Sequence, residues 1–199
     1  MFSINGVEIS KNEKPFLVAE LSANHDGSID RAKQTIKAAK KAGISAVKIQ
    51  TYTPDTMTIN SSKSDFQIKD GLWKGQNLYE LYEKAHTPFE WHEELFDFSR
   101  RIGLTIFSTP FDETAVDLLE SLGSPAYKIA SFEIIDLPLI KYVAEKGKPM
   151  LLSTGMASKD EVSQALEVIN EIGNSQVLLF HCVSSYPAPT EQSNLSNIK

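Results

Sequence analysis

Short apolar runs and longer amphipathic stretches alternate along this chain, and the alternation predicts its class. Phe2 to Ile9 switches between apolar and polar residues around Asn5-Gly6, the pattern of a two-residue β-hairpin. Apolar runs then predict strands over residues 16–20, 46–50, 104–108, 126–130, 149–153 and 177–181. Between them, apolar positions at helical spacing predict helices over residues 28–42, 88–102, 112–122, 137–146 and 158–172. The punctuation agrees with the periodicity. Gly43 and Gly103 close two of the helices, Pro88 suits a first turn, and Ser158 with Glu161 has the spacing of a capping box. The connection over residues 51–88 is the exception. It is long for a strand-to-helix link, carries Trp73, Tyr79 and Tyr82, and holds one short helical pattern over residues 77–84.

Six βα units in succession require a parallel sheet with helices against it. A doubly wound sheet would be favoured by a glycine-rich phosphate turn after the first strand, and residues 20–27 contain no GxGxxG. A (β/α)₈ barrel instead gathers its chemistry at strand C-termini, and here each strand end carries polar groups. They are Glu20, Lys48 with Gln50, Ser108 with Thr109, Lys128 with Ser131, Ser153 with Thr154, and His181. The expected fold is therefore a TIM (β/α)₈ barrel of which residues 1–199 carry about six βα units, preceded by the hairpin. Such a barrel takes about 250 residues, so the domain is expected to be incomplete at its C-terminus.

Composition narrows the partners. Apolar residues at 41% and charged residues at 23% describe a globular chain, and a net charge of −6 disfavours nucleic acid or an anionic membrane as the main partner. Cys182 is the single cysteine, the first residues lack the regions of a signal peptide, and no apolar run approaches the about 20 residues that span a bilayer. A cytoplasmic location is expected.

Lys48 and Lys128 are the residues that ask for explanation. Each stands inside an apolar strand, where an unmet ammonium costs several kcal/mol. A nearby carboxylate could meet each charge, as could an anionic ligand that both lysines share. On a barrel, alternate strands would bring the two into one interior layer. Ser131, Ser153 and Ser184 add hydroxyl donors, and the set suits a phosphate or a phosphate with a carboxylate. Glu20 and Glu133 could bind sugar hydroxyls or move protons. His25 lies on the loop after the first strand. His86, His92 and His181 have no metal-ligand spacing, and Cys182, with no base beside it, is read as core.

Several motifs carry a family resemblance. Residues 19–27, Val47-Lys48-Ile49-Gln50-Thr51 and Ser108-Thr109-Pro110-Phe111-Asp112 resemble the sialic acid synthase family. So do Tyr127-Lys128-Ile129-Ala130-Ser131, residues 152–156 and residues 181–187. Residues 71–79, Thr87-Pro88-Phe89-Glu90-Trp91-His92 and Ala130-Ser131-Phe132-Glu133 are most similar to its pseudaminic acid branch; the N-acetylneuraminate and legionaminic acid branches are the alternatives within the family. A barrel fragment that only binds sugar phosphate is the alternative outside it.

The resemblance implies condensation of phosphoenolpyruvate with an N-acetylated amino sugar, here 2,4-diacetamido-2,4,6-trideoxy-altrose, with a divalent metal (Mn2+ or Mg2+) in the full-length enzyme. It implies Glu20 and Glu133 as catalytic carboxylates. Lys48, Gln50, Lys128, Ser131, Ser153 and Ser184 would hold phosphoenolpyruvate, and Asn24, His25 and Tyr186 would meet the sugar. The metal-binding histidines are expected beyond Lys199. A C-terminal antifreeze-like domain is also expected there, and a homodimer of the full-length protein.

Overall fold

The computed structural model describes residues 2–185 and 187–198. The hairpin forms as expected: β1 (Phe2–Ile4) pairs antiparallel with β2 (Val7–Ile9), Phe2 opposite Ile9. Asn5 and Gly6 both take positive φ, 50° and 79°, as a type I′ turn requires. The chain forms two compact units: Lys14–Ser124 is one, and the other joins the hairpin residues up to Glu13 to those from Pro125 onward.

In the unit Lys14–Ser124, three βα units follow one another. β3 (Val18–Glu20) leads to α1 (Ile29–Lys41), β4 (Ala46–Thr51) to the long connection and α4, and β5 (Thr105–Pro110) to α5. The connection is more structured than its sequence predicts. It contains α2 (Pro54–Met57), a 3₁₀ turn at Ser64–Phe66 and α3 (Leu78–Ala85), and precedes α4 (Phe89–Arg101). α5 spans Glu113–Ser121. Three of these helices begin on side-chain caps. Ser28, Asn77 and Asp112 accept backbone N–H groups of α1, α3 and α5. β4 lies between β3 and β5, all parallel, with Lys48 opposite Glu20 on one side and Phe107 on the other.

β4 alternates strictly. Val47, Ile49 and Thr51 are buried, while Lys48 and Gln50 are half-buried on the opposite face. The buried face of β4 carries a polar chain that hydropathy does not reveal. The Thr51 hydroxyl lies 2.8 Å from His92 Nε2 on α4 and 2.6 Å from the Ser108 hydroxyl on β5. Ser108 Oγ also lies 3.0 Å from the Ile49 carbonyl, so its single hydrogen is shared between that carbonyl and the Thr51 oxygen. The opposite ring nitrogen, Nδ1, lies 3.0 Å from the Pro88 carbonyl. A carbonyl only accepts, so Nδ1 carries the hydrogen and Nε2 accepts from Thr51. Burial holds the His92 pKa down at about 4, against an ordinary 6.5. Ser108 therefore does not join the strand-end chemistry expected of it. It points into the helix layer, one residue out of phase with Thr109.

In the second unit, β6 (Tyr127–Ile129), β7 (Met150–Ser153) and β8 (Val177–Phe180) form a parallel ladder, Lys128 opposite Leu151 and Ser153 opposite Phe180. α6 (Leu137–Ala144) starts from the Asp136 cap with Pro138 in its first turn, and α7 (Lys159–Glu171) carries the expected Ser158–Glu161 capping box. The core of this unit includes Tyr127, Ile129, Ile134, Ile140, Val143, Leu152 and Ile169, each nearly inaccessible to solvent. Among the described residues no helix is long and apolar enough to cross a membrane.

The buried histidine makes stability pH-dependent. Its folded pKa lies below the unfolded value, so the unfolded chain binds the extra proton between these two pH values and stability declines as pH falls from about 6.5 to about 4. The full loss, about 3 kcal/mol, is expected in urea denaturation series across that window. Thr51→Val, which leaves His92 Nε2 without its donor and Ser108 with only the Ile49 carbonyl, is expected to cost about 1–3 kcal/mol at neutral pH. A flat pH series together with an unshifted Thr51→Val midpoint would contradict this assignment.

Candidate active site

Glu20 and Lys48 face each other across the β3–β4 ladder because a parallel register places them on the same side. Lys48 Nζ lies 2.5 Å from Glu20 Oε2 and donates to Thr109 Oγ1 at 3.0 Å. The Lys48 side chain is 13% exposed and that of Glu20 41%, so the pair lines the strand ends rather than open surface. The other Glu20 oxygen accepts from the Ser22 backbone N–H at 3.0 Å and the Ser22 hydroxyl at 2.8 Å. That clamp requires a left-handed Ser22, φ 44°, in a loop where Asp26 is left-handed too, at 47°. Non-glycine residues adopt this region only when their surroundings over-determine it. A nearby carboxylate therefore does meet the Lys48 charge, and both groups are held at the end of their strands. Gln50 lies two residues further on the same face of β4, opposite Thr109.

The loop after β3 separates two expected residues. Asn24 is exposed and donates its amide to the Leu21 carbonyl at 2.8 Å. His25 is 1% exposed, edge-on to Trp91 at 5.4 Å, with Nδ1 accepting from the Gly27 N–H at 3.1 Å. Burial lowers its pKa, and the Ala85 carbonyl at the end of α3 pulls the other way. The long connection thus reaches the loop after β3. Its aromatics also close over β4: Tyr52 is buried against Tyr82 and Phe111, with ring centroids at 5.8 and 5.3 Å.

The second unit builds its own cluster at the ends of β6, β7 and β8. Lys128 Nζ donates to Ser153 Oγ at 2.5 Å and to the Ile129 carbonyl at 2.8 Å, and lies 5.7 Å from the centre of the Phe180 ring. Ser153 is 7% exposed. Cys182 Sγ lies 3.2 Å from the same Ser153 oxygen. Ser131 is half-buried in the turn that follows β6, where the Glu133 N–H donates to the Ala130 carbonyl. Glu133 begins the 3₁₀ turn Glu133–Ile135, and its Oε2 is buried with no hydrogen-bond partner among the described residues. Burial pushes the Glu133 carboxyl above its ordinary pKa, while the Lys128 charge pulls it down.

Ser184 is exposed and packs against Gly155, where an added Cβ would sit 2.4 Å from Ser184 Oγ and 3.0 Å from Cys182 Cβ. His181 is turned elsewhere: its Nε2–H donates to the Ser193 carbonyl at 2.8 Å. Tyr186, expected to meet the sugar, lies outside the described residues. Among the described residues no group of three His, Cys, Asp or Glu side chains could hold a metal ion.

Three participants escaped the sequence reading. Thr109 was noted only as a polar strand end, yet it accepts from Lys48. Gly155 stood only within the motif of residues 152–156. Cys182, read as core, is only half-buried and touches Ser153. The signal available for Cys182 was its place just past β8, where the other strands carry their polar groups.

A succession of βα units with lysines, hydroxyls and carboxylates at the strand ends defines a (β/α)₈-type chain. Comparison with known proteins agrees. The sialic acid synthetase of Leptospira borgpetersenii superposes on 99% of this chain and 64% of its own, with a TM-score of 0.86 and 28% identity. The family model described as the NeuB family matches residues 35–199, and the chain belongs to that family. The pseudaminic acid synthase of Helicobacter pylori is 49% identical over 92% of this chain and 54% of its own length. The N,N'-diacetyllegionaminic acid synthase of Legionella pneumophila is 35% identical over 96% of this chain and 55% of its own. The chain thus spans about half the length of these curated relatives.

Gly155→Ala tests how closely the ends of β7 and β8 are packed. The added methyl would meet the Cys182 backbone carbonyl at 3.1 Å as well as the Cys182 and Ser184 side chains, so main chain must move. A loss of about 1–3 kcal/mol in denaturation midpoint is expected. An unchanged midpoint would show that the two loops are free to part.

Proposed function

We propose that the protein is a pseudaminic acid synthase, condensing phosphoenolpyruvate with 2,4-diacetamido-2,4,6-trideoxy-altrose. The observation that carries this reading is the 49% identity to a pseudaminic acid synthase over 92% of the chain, against 35% to a legionaminic acid synthase. In the reaction, C3 of phosphoenolpyruvate forms a bond to the aldehyde carbon of the open-chain sugar. Water adds at C2, and phosphate leaves with its bridging oxygen by C–O cleavage, giving a nine-carbon α-keto acid.

Residue roles follow from the local geometry. Lys128 and Ser153 present a charged and a neutral donor at adjacent strand ends, which suits a phosphate or carboxylate oxygen. Lys48, fixed by Glu20 and Thr109, with the Gln50 amide on the same face of β4, supplies a second donor set. Ser131 and Ser184 add hydroxyls on the loops after β6 and β8. Glu20, half exposed beyond its ion pair, is assigned to the sugar and the reacting carbon. Glu133, buried and raised in pKa, keeps its proton to higher pH than an ordinary glutamate and is assigned to proton handling. Asn24 offers its exposed amide to the sugar, His25 holds that loop in place from beneath, and Tyr186 completes the sugar contacts. A divalent metal, manganese or magnesium, would polarise the aldehyde in the whole protein. The described residues here do not supply its donor set, and no step above passes through it. The whole protein is expected to act as a homodimer in the cytoplasm.

Incubating the whole protein with phosphoenolpyruvate and each candidate sugar tests this. Phosphate release is expected with the altrose derivative. Release only with the precursors of N-acetylneuraminate or legionaminate would move the protein to another branch, and no release with any sugar would reject synthase activity. Lys128→Met is expected to weaken phosphoenolpyruvate binding by roughly tenfold or more, because it removes a charge-assisted donor. Unchanged affinity in that variant would remove Lys128 from the site.

A further inference from the structure

Ser153 accepts two hydrogen bonds, and the identity of the second donor decides what its hydroxyl can do. Lys128 occupies one lone pair at 2.5 Å. Cys182 Sγ, at 3.2 Å, is placed to occupy the other. The thiol has one competing acceptor, the Phe180 carbonyl at 3.6 Å. That carbonyl already receives the Thr154 hydroxyl at 2.9 Å and the Thr154 backbone N–H at 3.2 Å. A carbonyl oxygen has two lone pairs, and both are engaged at shorter range. The reverse arrangement, Ser153 donating to sulfur, would spend a strong donor on a weak acceptor. The thiol hydrogen therefore goes to Ser153.

We propose that Cys182 is a positioning residue for anion recognition: with Lys128 it fills both acceptor sites of Ser153 Oγ, so that the Ser153 hydroxyl can only donate. A hydroxyl left with a free lone pair can also accept, and spends part of its population turned away from an anion. One fixed as a donor is already in the state that a phosphate or carboxylate needs. The packing holds this arrangement in place. Gly155 lies against Cys182, with only 3.0 Å between an imagined Cβ and the Cys182 Cβ, so the cysteine is seated by a residue that has no side chain to displace it.

This inference rests on the assignment of Ser153 to phosphoenolpyruvate, and its test does not depend on which sugar is used. The affinity of the whole protein for phosphoenolpyruvate would be measured by calorimetry in unsubstituted, Cys182→Ala, Cys182→Ser and Ser153→Ala proteins and in the Cys182→Ala/Ser153→Ala double variant. Cys182→Ala is expected to weaken binding about fivefold, the effect of one modest hydrogen bond. Cys182→Ser, which restores an O–H donor, is expected to recover most of it. In the Ser153→Ala background, Cys182→Ala should have no further effect, because the group it positions is gone. Should Cys182→Ala fold poorly, Cys182→Val removes the donor while filling the space. An affinity equal to that of the unsubstituted protein in the donor-less variant overturns the proposal, as does an equal loss in the Ser153→Ala background. Binding of phosphoenolpyruvate without turnover of any sugar would reject the synthase reading alone and leave this comparison readable.

Discussion

A lysine ammonium set into a parallel sheet must be met within a few ångströms, or the strand that carries it does not stay buried. Each unit of this chain contains one such lysine, and each meets it differently. Lys48 is answered by a full opposite charge, Glu20, on the neighbouring strand, and by the Thr109 hydroxyl. Lys128 is answered by a hydroxyl, a carbonyl and an aromatic face. The difference has chemical consequences. The Glu20 carboxylate neutralises Lys48 in a charge-balanced pair, whereas Lys128 hydrogen-bonds to neutral groups and its charge draws the Glu133 pKa down against the effect of burial.

Everything around the two lysines serves to hold these answers in place. Glu20 is pinned by Ser22, which makes both of its hydrogen bonds from a left-handed backbone. Thr109 reaches Lys48 because β5 is registered to β4, and that register is reinforced from behind by the hydroxyl chain of Thr51 and Ser108 and its buried histidine. Ser153 reaches Lys128 because β7 lies beside β6, and the cysteine behind it fits because residue 155 is glycine. The polar groups at the strand ends and the polar groups that face the helices are thus separate networks, and the second holds the register of β4 and β5.

Much of this was legible in the residues. The six βα units, the hairpin turn at Asn5-Gly6 and the capping box at Ser158 and Glu161 formed where periodicity and turn chemistry placed them, with strand and helix ends shifted by a residue or two. The short helix Pro54–Met57 was not foreseen, because four residues do not establish a period. Ser108 was assigned to the wrong face because a strand end offers two adjacent polar residues, and only register decides which of them points to the site. His92 gave no signal, since a histidine that binds a threonine from a neighbouring strand is a tertiary event without a local pattern. Cys182 was read by its general habit of burial, which hid its use as a donor. What sequence could not convey in each case was the partner, because the partner lies 29 to 59 residues away along the chain.

The strict alternation of β4 limits how this protein can change over time. Odd-numbered residues from 47 to 51 belong to the core and residues 48 and 50 to the opposite face, so an exchange at 48 or 50 spares the core packing that an exchange at 47, 49 or 51 disturbs. Length is another matter. One residue added or lost within the strand would turn Lys48 and Gln50 into the helix layer and Ile49 out of it, breaking the Glu20 ion pair and the core packing together. Substitutions on β4 can therefore be absorbed one position at a time, while changes of length are better borne by connections such as the one between Pro54 and Ala85.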